Sequence, residues 1–318
     1  MYPDIICVGE LLVEIMRKDI DDPHGKIGSI YKGPYPSGAP AIFIDSAARM
    51  SKPFNFSTGY IGVVGNDEFG ECVIKKLQMD GVDISQIRVI NDETTGIAFN
   101  QYNSDGARKF IFAVGAAGKT SSDDIRKDYF SNIRALHITG SALSISETSR
   151  DACYKAIRMA KETNPNVTIS FDPNLRPEML DIGITLKITE SVLNNTNILL
   201  PSGEEAEMLA GIKGEIKACK LLLEKGPKIV ILKQGSKGCI IFSAKYEDGV
   251  KVPSFNVKEI DPTGAGDSFG GAFIVGYLAG WQLIRAAKFA NAVGALKVQF
   301  FGPMPDTTYK NVEVFMKS

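Results

Sequence analysis

The sequence VTISFDP at residues 167–173 is a short apolar run that ends in turn-forming residues, and NILLP (197–201) and KIVILKQG (228–235) repeat the pattern. A segment long enough for a helix separates each run from the next. Three upstream runs have the same character: IICVG (5–9), GYIGVVG (59–65) and ALHITG (135–140). Continuous apolar runs of this length are typical of strands buried on both faces. Their alternation with helices predicts an α/β fold with a doubly wound, mostly parallel sheet and helices on both faces.

One segment departs from this alternation. TGIAFNQYNSDGARKFIFAV (95–114) contains two strand-like runs around NSDG, a sequence suited to a tight turn, and therefore predicts a β-hairpin. A hairpin without a helix cannot cover both faces, so we expect a small β lid built from insertions at approximately 11–36 and 92–115. We find no linker and no internal repeat, which predicts a single domain over 1–318. Exposed lid edges make a homodimer a further prediction.

Composition excludes several classes of protein. Hydrophobic residues make up 44% of the 318 residues, charged residues 23%, and the formal net charge is −1. These values are typical of a globular protein and argue against broad contact with nucleic acid or an anionic membrane. The five cysteines are scattered without metal-site spacing, and the N-terminus lacks the basic start of a signal peptide. We therefore expect a cytoplasmic protein with reduced thiols.

The strongest chemical signal is DPTGAGDSFGGAFIVGYLAG at 261–280, a glycine-rich turn followed by an apolar helix. The N–H groups at a helix start favour phosphate, and Gly264 and Gly266 allow close approach of the backbone. Asp267 at the same helix start is suited to accept a proton from a hydroxyl that attacks the phosphate. The alternative is that Asp267 only caps a helix.

The segment DPTGAGDSFGGAF closely resembles the C-terminal signature of the ribokinase family, also called PfkB-type sugar kinases. Further segments resemble other landmarks of that family in the same order: SGAPAIFIDSAARM (37–50), GVVGNDEFG (62–70), FDPNLRPEML (171–180), PSGEEAEMLAG (201–211), LKQGSKG (232–238) and FANAVGAL (289–296). The resemblance covers nearly the whole chain. It implies a ribokinase-like fold and ATP-dependent phosphorylation of a sugar hydroxyl with ATP and Mg²⁺.

The resemblance also implies roles for individual residues. Asp267 matches the catalytic base, and Gly264, Ala265 and Gly266 match the anion hole. The residues that match the ATP site are Lys233, Gly235, Gly238, Gly264, Gly266 and Asn291. Glu205 matches a glutamate that holds Mg²⁺ through water. Asp261 matches a residue near the monovalent-cation site of some members, which makes K⁺ a candidate additional cofactor.

The residues that match the sugar site are Glu14, Gly38, Ala39, Asp172, Asn174, Arg176 and Asp267. The chain departs from the family pattern at several of these places. Ser37 replaces a common glycine, and Ile42 replaces a sugar-binding asparagine. Ser202 replaces the asparagine of the NxxE motif, and Glu14 replaces an aspartate. The Ile42 departure implies that one sugar contact of the family pattern is missing, and that of Ser202 implies a different water network around Mg²⁺.

The acceptor is predicted from FDPNLRP, whose Asp172, Asn174 and Arg176 follow a buried strand at the edge where such sheets bind ligands. The segment resembles the DxNxRP pattern of fructokinases and 2-keto-3-deoxygluconate kinases. Both groups usually carry an arginine on the second hairpin strand, where this chain has Phe112. Since a carboxylate would lose a bidentate partner there, a neutral ketohexose such as fructose or tagatose ranks above the keto-deoxy acid.

Two rival functions remain open to test. GAAGKT at 115–120 resembles the end of a P-loop, but Ala113 stands where the motif requires its first glycine. A P-loop enzyme would lose ATP hydrolysis in a Lys119→Ala variant, whereas a sugar kinase would not. The second rival is a noncatalytic sugar or nucleotide sensor on the same fold. The presence of Asp267, the glycines and Glu205 together favours an enzyme.

Overall fold

The computed structural model describes residues 2–104 and 108–317, which form two β-sheets and the helices around them. The strands are β1 (Ile5–Val8), β2 (Leu12–Arg17), β3 (Tyr31–Ser37), β4 (Thr58–Gly65), β5 (Val82–Ile90), β6 (Gly96–Tyr102), β7 (Arg108–Ala113), β8 (Ala135–Thr139), β9 (Thr168–Asp172), β10 (Ile198–Leu199), β11 (Ile229–Lys233), β12 (Cys239–Ser243) and β13 (Tyr246–Val252). The helices are α1 (Ala39–Ser51), α2 (Glu68–Asp80), α3 (Gly140–Ser144), α4 (Glu147–Thr163), α5 (Ile182–Leu193), α6 (Gly203–Ala210), α7 (Glu215–Leu223), α8 (Ala265–Leu278), α9 (Leu283–Lys297) and α10 (Tyr309–Phe315).

The larger sheet has nine strands in the order β13-β12-β11-β10-β9-β8-β1-β4-β5. All neighbours from β11 to β5 are parallel, while β12 and β13 add an antiparallel edge next to β11. The predicted mostly parallel sheet is confirmed. Neither the antiparallel edge nor β5 was among the predicted strands.

Alternate residues of the central strands enter two separate hydrophobic cores. On β1, Ile5 and Cys7 belong to one core, whereas Ile6 and Val8 belong to the other. On β11, Ile231 belongs to the first of these cores and Leu232 to the second. Because successive side chains of a strand point to opposite faces, the sheet is covered on both sides. This explains why its strands appear in the sequence as continuous apolar runs.

The smaller sheet is the lid, with strand order β3-β2-β6-β7. Strands β6 and β7 form the predicted antiparallel hairpin, and β6 also pairs in parallel with β2. The tight turn predicted at NSDG lies partly outside the described residues. The single-domain organisation and the homodimer stay predictions. None of the helices in residues 2–104 and 108–317 combines the length and apolarity that a membrane span requires.

Helix α8 is held against α1 by close backbone packing. A Cβ at Gly271 would lie 2.4 Å from the Phe43 carbonyl oxygen, so only glycine fits there. The Ser46 hydroxyl donates a 2.9 Å hydrogen bond to the Ser268 carbonyl. Since α1 is almost completely buried, these contacts fix the N-terminus of α8 relative to the main sheet.

Candidate active site

Three neighbouring parallel strands end at the base of the site. Asp172 is the last residue of β9, Lys233 is the last residue of β11, and Ser202 follows β10 between them. Ser202 and Lys233 form a parallel backbone bridge. The Lys233 ammonium makes an ion pair with Asp172, whose side chain is 1% exposed. The topology therefore places a buried charge pair at the carboxyl edge of the sheet, where doubly wound folds bind ligands.

The glycine-rich loop brings the start of α8 to this charge pair. Gly264 precedes the helix with φ 75°, and a Cβ there would lie 3.0 Å from the Ile42 side chain and 3.1 Å from the Pro303 carbonyl oxygen. A Cβ on Gly266 would lie 3.3 Å from Lys233 Nζ. The Ala265 N–H donates to the Pro262 carbonyl. The next N–H groups in this first helical turn, with the Lys233 ammonium beside them, are suited to bind an anion.

Asp267 lies in the first turn of α8 and is 9% exposed. Burial, together with the nearby charge of Asp172, raises the pKa of its carboxyl group to about 7, although Lys233 and Arg176 oppose the shift. Its Oδ1 accepts a hydrogen bond of 3.3 Å from Asn174 Nδ2. A carboxylate with a pKa near neutrality and one long protein hydrogen bond is suited to general-base catalysis.

Asn174 connects the two aspartates of the site. Its backbone N–H donates to Asp172 Oδ1 at 3.2 Å, while its side-chain amide donates to Asp267. It has a φ of 36°, which is uncommon for a residue other than glycine. Its Oδ1 is buried and has no hydrogen-bond partner within the described chain. A donor on a bound ligand would satisfy this oxygen.

Glu205 borders the same site from α6. Its Oε1 accepts from the Leu175 N–H (3.1 Å) and its Oε2 from the Ser202 N–H (2.7 Å). The Ser202 hydroxyl completes a capping box at the start of α6. The described residues contain no group of three or more His, Cys, Asp or Glu side chains able to hold a metal. The role of Glu205 in holding the water shell of Mg²⁺ stays a prediction.

Three further residues of the predicted ATP site are Gly235, Gly238 and Asn291. Asn291 is 5% exposed, and its side-chain amide donates to the carbonyl oxygens of Val252 (3.0 Å) and Pro253 (3.2 Å). It thereby fixes the end of β13 against α9. Gly235 and Gly238 form the short turn between β11 and β12. Asn291 thus shapes the wall of this region through the backbone that it binds.

A cavity of about 1070 Å³ joins these groups. Twelve of the predicted site residues line it: Asp172, Asn174, Arg176, Glu205, Lys233, Gly235, Gly238, Gly264, Ala265, Gly266, Asp267 and Asn291. The volume is at the upper end of the range for small-molecule sites.

Four predicted site residues do not line this cavity: Glu14, Gly38, Ala39 and Asp261. The Glu14 carboxylate is buried and accepts from Ser37 Oγ and Asn100 Nδ2, both at 2.8 Å. Ser37, the departure from the family glycine, is therefore its hydrogen-bond partner. Gly38 precedes α1, where a Cβ would lie 2.4 Å from the Glu10 carbonyl oxygen, and Ala39 begins that helix. Their roles in sugar binding stay predictions.

The lid contributes two cavity residues that the sequence analysis missed, Arg108 and Phe110 on β7. Phe112 does not line the cavity. Phe112 was predicted to stand where related kinases carry an arginine, whereas Arg108, which lies four residues earlier on the same strand and lines the cavity, was not considered. The Arg176 guanidinium lies 5.7 Å from the centre of the Phe110 ring, so β7 of the lid approaches the Arg176 segment at this cavity. Alternation along β7 gives Arg108 and Phe110 the same face.

Two features of the sequence contribute no polar group to the cavity. Ile42 is 3% exposed and packs near Gly264, so it offers no polar contact to a sugar. The P-loop-like GAAGKT segment forms a short 3₁₀ helix at Gly115–Gly118 in place of a phosphate-binding turn before an α-helix. Lys119 pairs with Glu93 at 2.8 Å and does not line the cavity. The P-loop alternative is wrong for this structure.

Comparison with known proteins agrees with this geometry. The 5-dehydro-2-deoxygluconokinase of Clostridium perfringens is 31% identical over 99% of this chain and 93% of its own. The probable fructokinase-5 of Arabidopsis thaliana is 29% identical over 99% and 98%. A crystal structure of a putative ribokinase II from E. coli, in complex with ATP and Mg²⁺, has a TM-score of 0.89 and 41% identity over 99% of both chains.

The family model for pfkB family carbohydrate kinases matches residues 3–308. The match spans the main sheet, the lid and the glycine-rich loop. These findings confirm the predicted ribokinase-like fold and the prediction of an ATP-dependent sugar kinase. The chain belongs to the pfkB family of carbohydrate kinases.

Proposed function

We propose that this kinase transfers the γ-phosphoryl group of ATP to a hydroxyl of a six-carbon keto sugar acid, with Asp267 as the general base. The observation that supports this most strongly is the position of Asp267. Its carboxylate shares the cavity with Lys233 and the N–H groups at the start of α8. A base and an anion site within one enclosed space are what in-line phosphoryl transfer needs.

The transfer requires one proton acceptor and several fixed donors. The acceptor hydroxyl gives its proton to Asp267 while its oxygen forms a bond to the γ-phosphorus. The bond from that phosphorus to the bridging oxygen breaks, and ADP leaves with the electron pair. Negative charge on the moving phosphoryl group is stabilised by Lys233 and by the first turn of α8. Asn174 keeps Asp267 oriented through its amide.

The nucleotide would occupy the cavity beside Gly235, Gly238 and Asn291, with its phosphates towards Gly264 and Gly266. Mg²⁺, when bound, neutralises charge on the ATP phosphates. Glu205 is the residue suited to hold the water shell of that ion, since its carboxylate lines the same cavity. None of the other residue roles proposed here requires a side chain that ligates Mg²⁺ directly.

The carboxylate of the acceptor is inferred from Arg108 and Arg176. Both line the cavity, and neither forms an ion pair with a carboxylate within the described residues. Arg176 donates one hydrogen bond, to the Leu175 carbonyl (3.3 Å), and its guanidinium keeps further donors. Guanidinium groups that lack a carboxylate partner are suited to bind an anionic group in a bidentate manner. Asn174 Oδ1, which is buried without a partner, would accept from an acceptor hydroxyl.

A neutral ketohexose is the second candidate. The relative from Arabidopsis, a probable fructokinase, supports it. In this alternative Arg176 would bind a sugar hydroxyl or an ATP phosphate, and Arg108 would remain in solvent. Residue Arg108 is exposed at the mouth of the cavity, so it could serve either function without rearrangement of the core.

The two candidates are separated by an acceptor panel. We would measure ATP-dependent phosphorylation of 2-keto-3-deoxygluconate, 5-keto-2-deoxygluconate, fructose, tagatose, ribose and adenosine with Mg²⁺, and identify each phosphorylated product. We expect higher kcat/KM for the acids than for the neutral sugars. A clear preference for fructose or tagatose would contradict the carboxylate assignment and leave sugar phosphorylation intact.

Arginine variants give a direct test of the carboxylate assignment. Loss of a charged hydrogen bond costs about 1.5–3 kcal/mol, so Arg108→Ala and Arg176→Ala should each lower kcat/KM for an acid about 10- to 100-fold. The matched control is Arg158→Ala, an exposed arginine on α4 that does not line the cavity. Equal losses for acidic and neutral acceptors would show that the arginines bind ATP and not the acceptor.

A further inference from the structure

A buried lysine lies directly behind the glycine-rich loop. Lys297 is the last residue of α9 and is only 1% exposed. Its ammonium donates to the carbonyl oxygens of Asp261 (2.7 Å) and Phe300 (3.4 Å), and it lies 3.4 Å from Asp261 Oδ2. Burial of an ammonium group is unfavourable unless it is paired and hydrogen-bonded. The three oxygen contacts meet that requirement.

The Asp261 carboxylate in turn binds the loop that begins α8. Its Oδ1 accepts from the Thr263 N–H (2.9 Å), the Thr263 hydroxyl (2.6 Å) and the Tyr102 hydroxyl (3.2 Å). Its Oδ2 accepts from the Gly302 N–H (2.8 Å). Thr263 immediately precedes Gly264, whose neighbour in space is Pro303. The carboxylate therefore holds both segments that shape the anion site.

The surroundings of the Lys297 ammonium resemble a site for a monovalent cation. Backbone carbonyls and a carboxylate replace water around it, as carbonyl oxygens replace the hydration shell of K⁺ in protein sites. Asp261 was predicted to lie near such a cation. In this chain a covalently attached cation already neutralises Asp261 and contacts the Asp261 carbonyl.

We infer that Lys297 is an internal cation that positions the anion-hole loop, so that phosphoryl transfer by this enzyme does not require K⁺. Lys297 acts through Asp261, Thr263 and Gly264, and it does not itself line the cavity. It is a positioning residue. The inference rests on the proposed role of Gly264–Asp267 in phosphoryl transfer, but its effect on cation binding can be measured without any substrate.

The first test compares salts on the unmodified enzyme. Thermal unfolding and turnover with ATP and Mg²⁺ are measured in KCl, NH₄Cl, NaCl and tetramethylammonium chloride at equal ionic strength. The wild type should unfold at the same temperature in all four salts and keep its turnover within about twofold. A K⁺-specific rise in melting temperature or a tenfold activation by K⁺ would overturn the inference. The melting measurement stands even if the acceptor proposal fails.

The second test removes the internal cation. Lys297→Ala should lose turnover about 100-fold, the effect of a misplaced catalytic loop, with a smaller change in the KM for ATP. K⁺ or NH₄⁺ should raise both its melting temperature and its turnover, whereas tetramethylammonium should not. The control is Lys75→Ala, which removes an exposed lysine that pairs with Glu71 on α2 and should behave as wild type in every salt.

A variant that preserves folding keeps the test decisive. If Lys297→Ala does not fold, the double variant Lys297→Met/Asp261→Asn replaces the buried ion pair with neutral groups of similar size. We expect it to fold, to turn over slowly and to ignore the choice of salt. Wild-type turnover in either variant would show that Lys297 has no positioning role.

Discussion

Asp261 lies six residues before Asp267, which stands in the first turn of α8. Both are buried, yet their surroundings are opposite. Asp261 receives hydrogen bonds from Thr263, Tyr102 and Gly302 and pairs with Lys297. Asp267 receives one hydrogen bond of 3.3 Å from a side chain, and its pKa is raised to about 7. The comparison teaches that the supply of donors, more than burial, decides whether a buried aspartate is structural or reactive.

The largest expected effect is on the free energy of unfolding, and it tests the difference between the two aspartates directly. Removal of one partner from a buried ion pair costs about 3–5 kcal/mol, so Asp261→Asn should lower the free energy of unfolding by that amount. Asp267→Asn should not lower the free energy of unfolding. The charged form of Asp267 is disfavoured in the folded state, so its contribution to stability falls as pH rises from the unfolded pKa to about 7. Its neutral replacement should therefore be at least as stable as wild type at pH 8.

Urea unfolding at pH 8 measures both variants. The control is Asp248→Asn, whose partner Lys220 lies at the surface and whose side chain is 98% exposed. An exposed pair of this kind contributes about 0–1 kcal/mol. The comparison fails if Asp261→Asn unfolds at the urea concentration of the wild type, or if Asp267→Asn is the less stable of the two.

A second prediction concerns the pH dependence of kcat/KM, which tests the role of Asp267 as the base. Only the deprotonated carboxylate can accept a proton, so kcat/KM should fall about tenfold per pH unit well below an apparent pKa of about 7. The Asn174 amide stabilises the charged form, and Asn174→Ala should therefore shift the apparent pKa upwards. A profile that stays flat down to pH 5 would contradict the role of Asp267 as base.

A third prediction concerns the loop between the two aspartates. Gly264→Ala would place a Cβ 3.0 Å from Ile42 at φ 75°, whereas Gly211→Ala at φ 71° meets nothing within 4 Å. Both substitutions bring backbone strain of about 1–3 kcal/mol. Only Gly264→Ala should also lower kcat, by about tenfold or more, because it moves the anion site. Steady-state kinetics and urea unfolding of the pair separate the two effects.

The main sheet could be predicted because strands such as β1 and β11 are buried on both faces and appear as continuous apolar runs. Strand β5 could not be recognised in this way, since it has only one fully buried residue. The antiparallel strand β13 is similarly exposed. Partly exposed edge strands carry a weak hydrophobic pattern, and their pairing depends on neighbours that are distant in sequence.

The candidate site was predicted where motif and position coincide, as at Asp267 and Gly264. Contacts between distant segments were not predictable: Asn174 with Asp267, Asp172 with Lys233, and Lys297 with Asp261. A lysine in a helix is ordinarily expected at the surface, and no sequence feature marks Lys297 as buried. Arg108 was missed because its inclusion in the cavity depends on how the lid hairpin folds over the main sheet.

The most direct test of the account is the turnover of Asp267→Asn with ATP, Mg²⁺ and the preferred acceptor, alongside its affinity for ATP. The account predicts a loss of at least about 100-fold in kcat, the lower range for general-base catalysis, with ATP binding retained. Unchanged turnover in a folded Asp267→Asn variant would contradict the central claim, because the proton of the acceptor hydroxyl would then have another destination.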